Sequence, residues 1–286
     1  MKPESANVSA RANPYMPVLV RLVRSKIETE DRQLKSFFLQ FVDPADRFDY
    51  LPGQFCQLSI FGAGEAPFGI ASSPDEKELL FTVNRIGEVT TALHSLNDGD
   101  IIGIRGPLGK GYPVHLVEGK DVLIVGGGFA FTTLRSLLLY ISSPGRRNNF
   151  GKIIVLYGVR EPGLFLYREE FDIWRRIPNC DLILTVDREF PNWKERVGVV
   201  PKVLRDVNPK SENTGVFVCG PPIMLKFTFP VLYELGFDPE FVFVSLEMRM
   251  KCGIGKCGRC NIGHKYICKD GPVFSLAEYS RLPKDE

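Results

Sequence analysis

Four of the seven cysteines in this 286-residue chain fall in one short stretch, Cys252, Cys257, Cys260 and Cys268, with the spacing C-x4-C-x2-C-x7-C. No other feature constrains the fold as tightly, because thiolates set this close fold a loop around a metal centre. Four thiolates are the ligand count of a 2Fe-2S cluster, and the first three follow a known C-x4-C-x2-C ligand run. The intervening Gly253, Gly255 and Gly258 let a loop wrap closely and point backbone N–H groups at sulfur. A structural tetrathiolate zinc site is the alternative, although such sites commonly show two separated C-x2-C knuckles and this stretch has one. Unliganded core cysteines are a third reading. Cys56, Cys180 and Cys219 are scattered, and this uneven placement favours metal over a disulfide framework.

A chain of this length has room for two domains, each with its own core. Apolar residues at 44% and charged residues at 24% are ordinary globular composition. A formal charge of +2, without a Lys/Arg stripe interleaved with aromatics, argues against nucleic acid as a partner. Met1 to Pro14 is polar, and no run approaches the roughly 18 apolar residues of a membrane span. The expectation is a soluble, cytoplasmic protein.

From Val18 to about Arg105 the pattern is short β-branched and aromatic runs: 18–23, 35–41, 54–60, 79–84 and 100–105. Turn signals such as Pro52-Gly53 and Asp98-Gly99 separate them. This predicts an antiparallel barrel or sandwich, with one short helix over 89–96. Beyond Gly119 apolar strands at 122–125, 153–158, 182–186, 216–219 and 241–246 alternate with helical stretches at 131–140, 164–175, 199–206 and 222–235. That alternation predicts βαβ units and a parallel sheet, with ligands at the C-terminal ends of its strands. Pro201 and Pro230 weaken the last two helices. The boundary falls at 113–120, and the division is 1–115, 116–246 and 247–286.

Gly126-Gly127-Gly128 follows the first strand of the second half, where glycines allow a dinucleotide pyrophosphate close to backbone amides; a plain tight turn reads equally well. Cys219-Gly220-Pro221-Pro222 sets a small polarizable thiol at the sheet's ligand-binding edge, or else a buried structural cysteine. His94, His115 and His264 have neither metal-ligand spacing nor triad partners; His264, inside the cysteine loop, has hydrogen bonding to a cluster as its sharper role. Arg249 to Lys251, Lys256, Arg259, Lys265 and Lys269 make the cysteine region basic, a solvated face or a docking surface for an acidic partner.

Taken together, Gly87-Glu88-Val89-Thr90, Arg105-Gly106-Pro107, the glycine triplet, Cys219-Gly220-Pro221-Pro222 and the cysteine cluster resemble the ferredoxin–NADP reductase superfamily over nearly the whole chain. The segment through Tyr266-Ile267-Cys268-Lys269-Asp270-Gly271-Pro272, and the Asn13-Pro14-Tyr15 opening, are similar to sulfhydrogenase γ subunits. The first also resembles the anaerobic sulfite reductase B subunit and, more distantly, the dihydroorotate dehydrogenase electron-transfer subunit.

The resemblance implies FAD held between the barrel and the dinucleotide domain, with NAD(H) or NADP(H) as substrate. The flavin motif Arg-x-Tyr-Ser maps onto Ala66-Pro67-Phe68-Gly69, followed by Ile70-Ala71-Ser72. Phe68 can stack on the flavin ring or simply join the core. Ala66 removes a guanidinium and Gly69 a hydroxyl. Asn84, closing its strand, and Gly87, Glu88, Val89 and Thr90 complete the expected flavin contacts. Gly126, Gly127 and Gly128 serve the nucleotide, with Cys219, Gly220 and Pro221 at the nicotinamide. In the Gly-Gly-Gly-x-Gly-x-Ala-Pro pattern, Ala130 replaces the fourth glycine and Thr133 the proline. Arg160 and Arg188 are candidates for a ribose 2′-phosphate, or solvated arginines. The implied protein is an electron-transfer subunit passing electrons between NAD(P)H, FAD, a 2Fe-2S cluster and redox partner subunits of a hydrogenase, sulfite reductase or heterodisulfide reductase type complex. An electron-relay subunit with a degenerate nucleotide site and a zinc-stabilised non-redox binding module are the other readings.

Overall fold

The computed structural model describes residues 13–247 and 249–283. In chain order the elements are β1 (Val18–Ile27), β2 (Leu34–Phe41), β3 (Phe55–Ile60), β4 (Gly64–Gly69), β5 (Leu79–Asn84), α1 (Glu88–His94) and β6 (Ile101–Leu108). Then come β7 (Asp121–Gly127), α2 (Phe131–Ser142), β8 (Ile153–Val159), α3 (Phe171–Arg175), β9 (Cys180–Val186), β10 (Arg196–Val197), α4 (Val200–Val207), β11 (Thr214–Cys219), α5 (Pro222–Glu234) and β12 (Val242–Ser245). The C-terminal stretch adds β13 (Asn261–Ile262), β14 (Lys265–Tyr266), α6 (Ile267–Asp270), β15 (Val273–Ser275) and α7 (Leu276–Ser280).

The first half is a six-stranded antiparallel sheet in the order β4-β3-β6-β1-β2-β5. Its edges approach each other where the Ala71 N–H donates to Leu80 O at 2.8 Å and the Leu80 N–H to Ser72 Oγ at 3.0 Å. Alternate residues Val20, Leu22, Phe37, Leu39, Leu58 and Ile104 fill the barrel interior, as the two-residue period of a strand requires. β4 contains Pro67, which a strand tolerates at an edge, where β4 lies.

The second half is a seven-stranded sheet, β10-β9-β8-β7-β11-β12-β15, parallel except for β15. Both faces are covered, so strand residues alternate between two cores. Val122 and Ile124 pack with α2 on one face, and Leu123 and Val125 with α4 and α5 on the other. α4 carries Pro201 in its first turn, where the missing N–H has no intrahelical role, and Pro230 stands inside α5 on an exposed position. The helix expected over 164–175 is shortened to α3. Tyr167 adopts a left-handed φ of 56°. There its hydroxyl meets Thr82 of the barrel at 2.6 Å and its N–H donates to Glu28 at 3.1 Å. These contacts across the two sheets override local helix propensity.

After β12 the chain makes the cysteine loop and returns, β15 pairing antiparallel with β12. Among the described residues no helix is long and apolar enough to cross a membrane.

Candidate functional site

A cleft of about 230 Å³ opens between the barrel and the C-terminal edge of the parallel sheet. Phe68, Gly69, Asn84, Thr90 and Cys219 line it. Phe68 serves both readings, packing partly on the barrel core while exposing part of its ring to the cleft. Ile70 is fully buried in the barrel core and does not reach the cleft. The Thr90 hydroxyl accepts from the Ile86 and Gly87 N–H groups at 2.9 and 2.8 Å, which fixes the start of α1 beside the cleft. Glu88 is exposed there and Val89 packs on the barrel core.

Two glycines of the triplet owe their smallness to protein neighbours. Gly126 lies under Phe131 and Leu134, and Gly127 under Met224, which also covers Gly220 beside exposed Pro221. Gly128 is different: its φ of +58° favours glycine, and nothing stands within 4 Å of where a Cβ would point. Ala130 has φ −64°, ordinary right-handed geometry. The backbone there does not need glycine, and the Ala130 methyl becomes part of the cleft wall.

The two departures at Gly69 and Thr133 meet in space, for the Thr133 methyl occupies the notch above Gly69. Thr82, Phe129, Thr132, Thr133, Ser245 and Glu247 are cleft residues that sequence reasoning missed as ligand contacts. Cys219 is buried, and burial followed by the nearby Glu247 carboxylate pushes its thiol up to about 12, so it stays protonated at neutral pH. Glu247 is exposed at the residue level, yet the protein mass around its carboxyl raises its pKa.

Arg160 and Arg188 are exposed beyond β8 and β9, Arg188 lying over the Phe190 ring at 5.1 Å. His94 sits with Nε2 2.9 Å from Val83 O, while His115 and His264 are exposed. None of the three lines the cleft.

The cysteine loop is built by glycines with positive φ, Gly253 (75°), Gly255 (72°) and Gly258 (70°). It turns backbone N–H groups onto sulfur: Gly255 donates to Cys268 Sγ at 3.1 Å, and Lys256 and Cys257 to Cys252 Sγ at 3.3 and 3.4 Å. Burial opposes ionisation of Cys252, but the N–H groups of Ile254, Cys257 and Lys256 outweigh it and bring the thiol down to about 6. Cys268 goes the other way, to about 12, through burial and the Cys260 thiol beside it. The sulfurs of Cys252 and Cys268 both collect backbone N–H groups of the same loop, from Lys256 and Cys257 and from Gly255. Among the described residues no three His, Cys, Asp or Glu side chains converge on a single-ion position. Cys257 is exposed, while Cys260 and Cys268 are buried in the core between the sheet and α5.

The loop is fastened to the barrel. Buried Arg105 donates to Glu65 at 2.5 and 2.7 Å and to Cys252 O at 3.1 Å, and Gln57 Nε2 donates to Lys251 O at 2.9 Å. The Lys110 N–H donates to Gly271 O at 2.6 Å at the loop's far end. Phe55 joins the two sites, lining the cleft while packing in the same core as Cys260 and Cys268. Arg105→Met removes the loop's charged anchor, which contributes about 2 kcal/mol. The variant should lose bound iron to a chelator several-fold faster than wild type; an unchanged rate would show the anchor to be idle.

An antiparallel barrel, a parallel α/β sheet with a cleft at its C-terminal edge, and an appended cysteine loop define a two-domain reductase fold of the ferredoxin–NADP reductase kind. A chain from the structure of an NADH-dependent reduced ferredoxin–NADP oxidoreductase superposes with a TM-score of 0.73 at 25% identity, covering 92% of this chain and 89% of that one. Residues 124–229 match the oxidoreductase NAD-binding domain family, and residues 247–279 the iron–sulfur cluster binding domain of dihydroorotate dehydrogenase B. Sulfhydrogenase 1 subunit γ of Pyrococcus furiosus is 39% identical over 95% of this chain and 94% of its own length. Sulfhydrogenase 2 subunit γ of the same organism is 37% identical over 92% and 96%. The chain belongs to the family of these γ subunits.

Proposed function

We propose that this chain is an electron-transfer subunit that moves electrons between NAD(P)H and a partner protein by way of FAD and a 2Fe-2S cluster. The observation that carries the reading is the continuity of the two sites: Phe55 lines the cleft and belongs to the same hydrophobic core as Cys260 and Cys268. When bound, the flavin and the cluster together supply the change from a two-electron hydride donor to single-electron acceptors. The side chains hold, orient and shield.

Phe68, Gly69, Asn84 and the first turn of α1 (Gly87, Glu88, Val89, Thr90) would hold the flavin, with Ile70 supporting Phe68 from the core. Gly126, Gly127, Gly128, Cys219, Gly220 and Pro221 would shape the nucleotide side, Gly128 offering the open backbone. Cys252, Cys257, Cys260 and Cys268 would ligate the cluster, four thiolates being its ligand count and C-x4-C-x2-C a ligand spacing of such clusters. On this reading 1–115 is the flavin domain, 116–246 the nucleotide domain and 247–286 the cluster segment.

The partner would dock where the cysteine loop is exposed. Cys257 opens onto a groove shared by Pro222, Glu247, Arg249, Gly258 and Arg259, and Ile223 and Phe227 of α5 are exposed apolar residues. Two arginines against one carboxylate leave the groove net basic, which fits an acidic protein surface.

Anaerobic titration with NADH and NADPH tests the reading. One of them should bleach the flavin absorbance and then reduce the cluster. A flavin reduced by dithionite but by neither nucleotide would leave only a relay subunit whose nucleotide side is closed.

A further inference from the structure

The barrel and the parallel sheet meet across the cleft at a residue with two unlike faces. Thr133, in the first turn of α2, is only 8% exposed. Its methyl enters the notch of the barrel residue Gly69, where a built Cβ would lie 2.5 Å from Thr133 Cγ2. The hydroxyl points elsewhere, standing 3.3 Å from the Tyr112 hydroxyl and on the side of the Cys219 thiol. Cys219 Sγ donates in turn to Ser245 O at 3.8 Å. Tyr112 is itself fixed, its N–H donating to Pro52 O at 2.7 Å and its ring lying against Gly53.

One side chain therefore touches both walls of the cleft. Its methyl is a steric stop against the strand that carries Phe68, and its hydroxyl lies on the side of the buried Tyr112 hydroxyl and Cys219 thiol. We propose that Thr133 is a positioning residue which sets the gap between the Phe68–Gly69 platform and Cys219, and with it the approach of a nicotinamide ring to the flavin. The inference rests on the function proposed above and concerns that same cleft. Hydride transfer is sensitive to such a gap because reacting atoms must come within about 3–3.5 Å. Loss of the Thr133 hydroxyl removes a polar neighbour from the Tyr112 and Cys219 side of that gap.

The test is stopped-flow flavin reduction by NADH and NADPH in wild type, Thr133→Val, Thr133→Ser and Gly69→Ala. Valine keeps the methyl and removes the hydroxyl; serine does the reverse. Thr133→Val should reduce its flavin about tenfold more slowly, with nucleotide affinity within about twofold and a weaker nicotinamide–flavin charge-transfer band. Thr133→Ser should keep the band. Gly69→Ala overfills the notch and should slow reduction, and adding Thr133→Ser to it should restore the rate. Equal rates and bands in wild type and Thr133→Val would overturn the proposal while leaving the function standing. Failure of both nucleotides to reduce the wild-type flavin would overturn the function, and the inference with it.

Discussion

Cys260→Ala should purify with no iron or acid-labile sulfide above background, yet with its flavin retained. Cys260 is buried beside Cys268 in the core between the parallel sheet and α5, so the smaller side chain fits without a clash. What disappears is one of the four thiols that the proposed 2Fe-2S cluster needs as ligands. The same result is expected at Cys252, whose sulfur collects the Lys256 and Cys257 N–H groups. Cys56→Ala and Cys180→Ala are the controls and should leave iron unchanged, since Cys56 is in the barrel core and Cys180 begins β9. Flavin retention follows from the geometry, because none of the four cluster cysteines lines the cleft. Iron content measured beside flavin content in all four variants checks the assignment. Full iron in Cys260→Ala would remove this residue from the ligand set.

The second large effect is expected at Arg135 of α2. Its guanidinium is buried between the two sheets and has every donor engaged. Nε donates to Glu170 at 2.9 and 3.1 Å, Nη1 to Ala71 O at 2.8 Å and Glu76 at 3.0 Å, and Nη2 to Glu76 at 3.1 Å and Glu170 at 2.8 Å. Ala71 and Glu76 belong to the barrel, whereas Arg135 and Glu170 belong to the second half, so this cluster ties the two walls of the cleft. Arg135→Met strands two carboxylates and a carbonyl. Breaking one side of such a cluster costs about 3 kcal/mol, the low end of the buried range because Glu76 is partly solvated. That should lower the melting temperature by roughly 5 °C in a protein of this size. Adding Glu76→Gln and Glu170→Gln should recover part of the loss. A melting temperature within about 1 °C of wild type would show that this cluster does not hold the halves together.

The alternation of strands and helices after Gly119 and the cysteine spacing were legible because each imposes a local pattern. Five strands of the parallel sheet and the two proline-containing helices follow from apolar runs and length. Other features depend on partners distant in sequence. β4 reads Gly-Glu-Ala-Pro-Phe-Gly, with no two-residue alternation, and is a strand only because β3 lies alongside it. β15 is three residues long and exists by pairing with β12. The helix expected from Leu164 breaks at Tyr167, which reaches across to Thr82 and Glu28.

The cleft shows the same division. Phe68, Thr90 and Cys219 carry motif signals. Thr132, Thr133 and Ser245 have ordinary residue identities and acquire importance through what the fold sets opposite them. Gly126 and Gly127 teach a further lesson: a glycine can be required by Phe131 or Met224 rather than by a ligand. Only the positive φ and open face of Gly128 separate the two cases, and neither is visible in a triplet of identical letters.

The most direct test of the central claim is an anaerobic visible spectrum of the purified protein, with iron, sulfide, zinc and flavin quantified on the same sample. An iron–sulfur flavoprotein should show flavin bands and about two irons and two sulfides per chain, with negligible zinc. Zinc at one per chain without flavin would contradict the account and leave a dinucleotide-type fold serving as a binding scaffold.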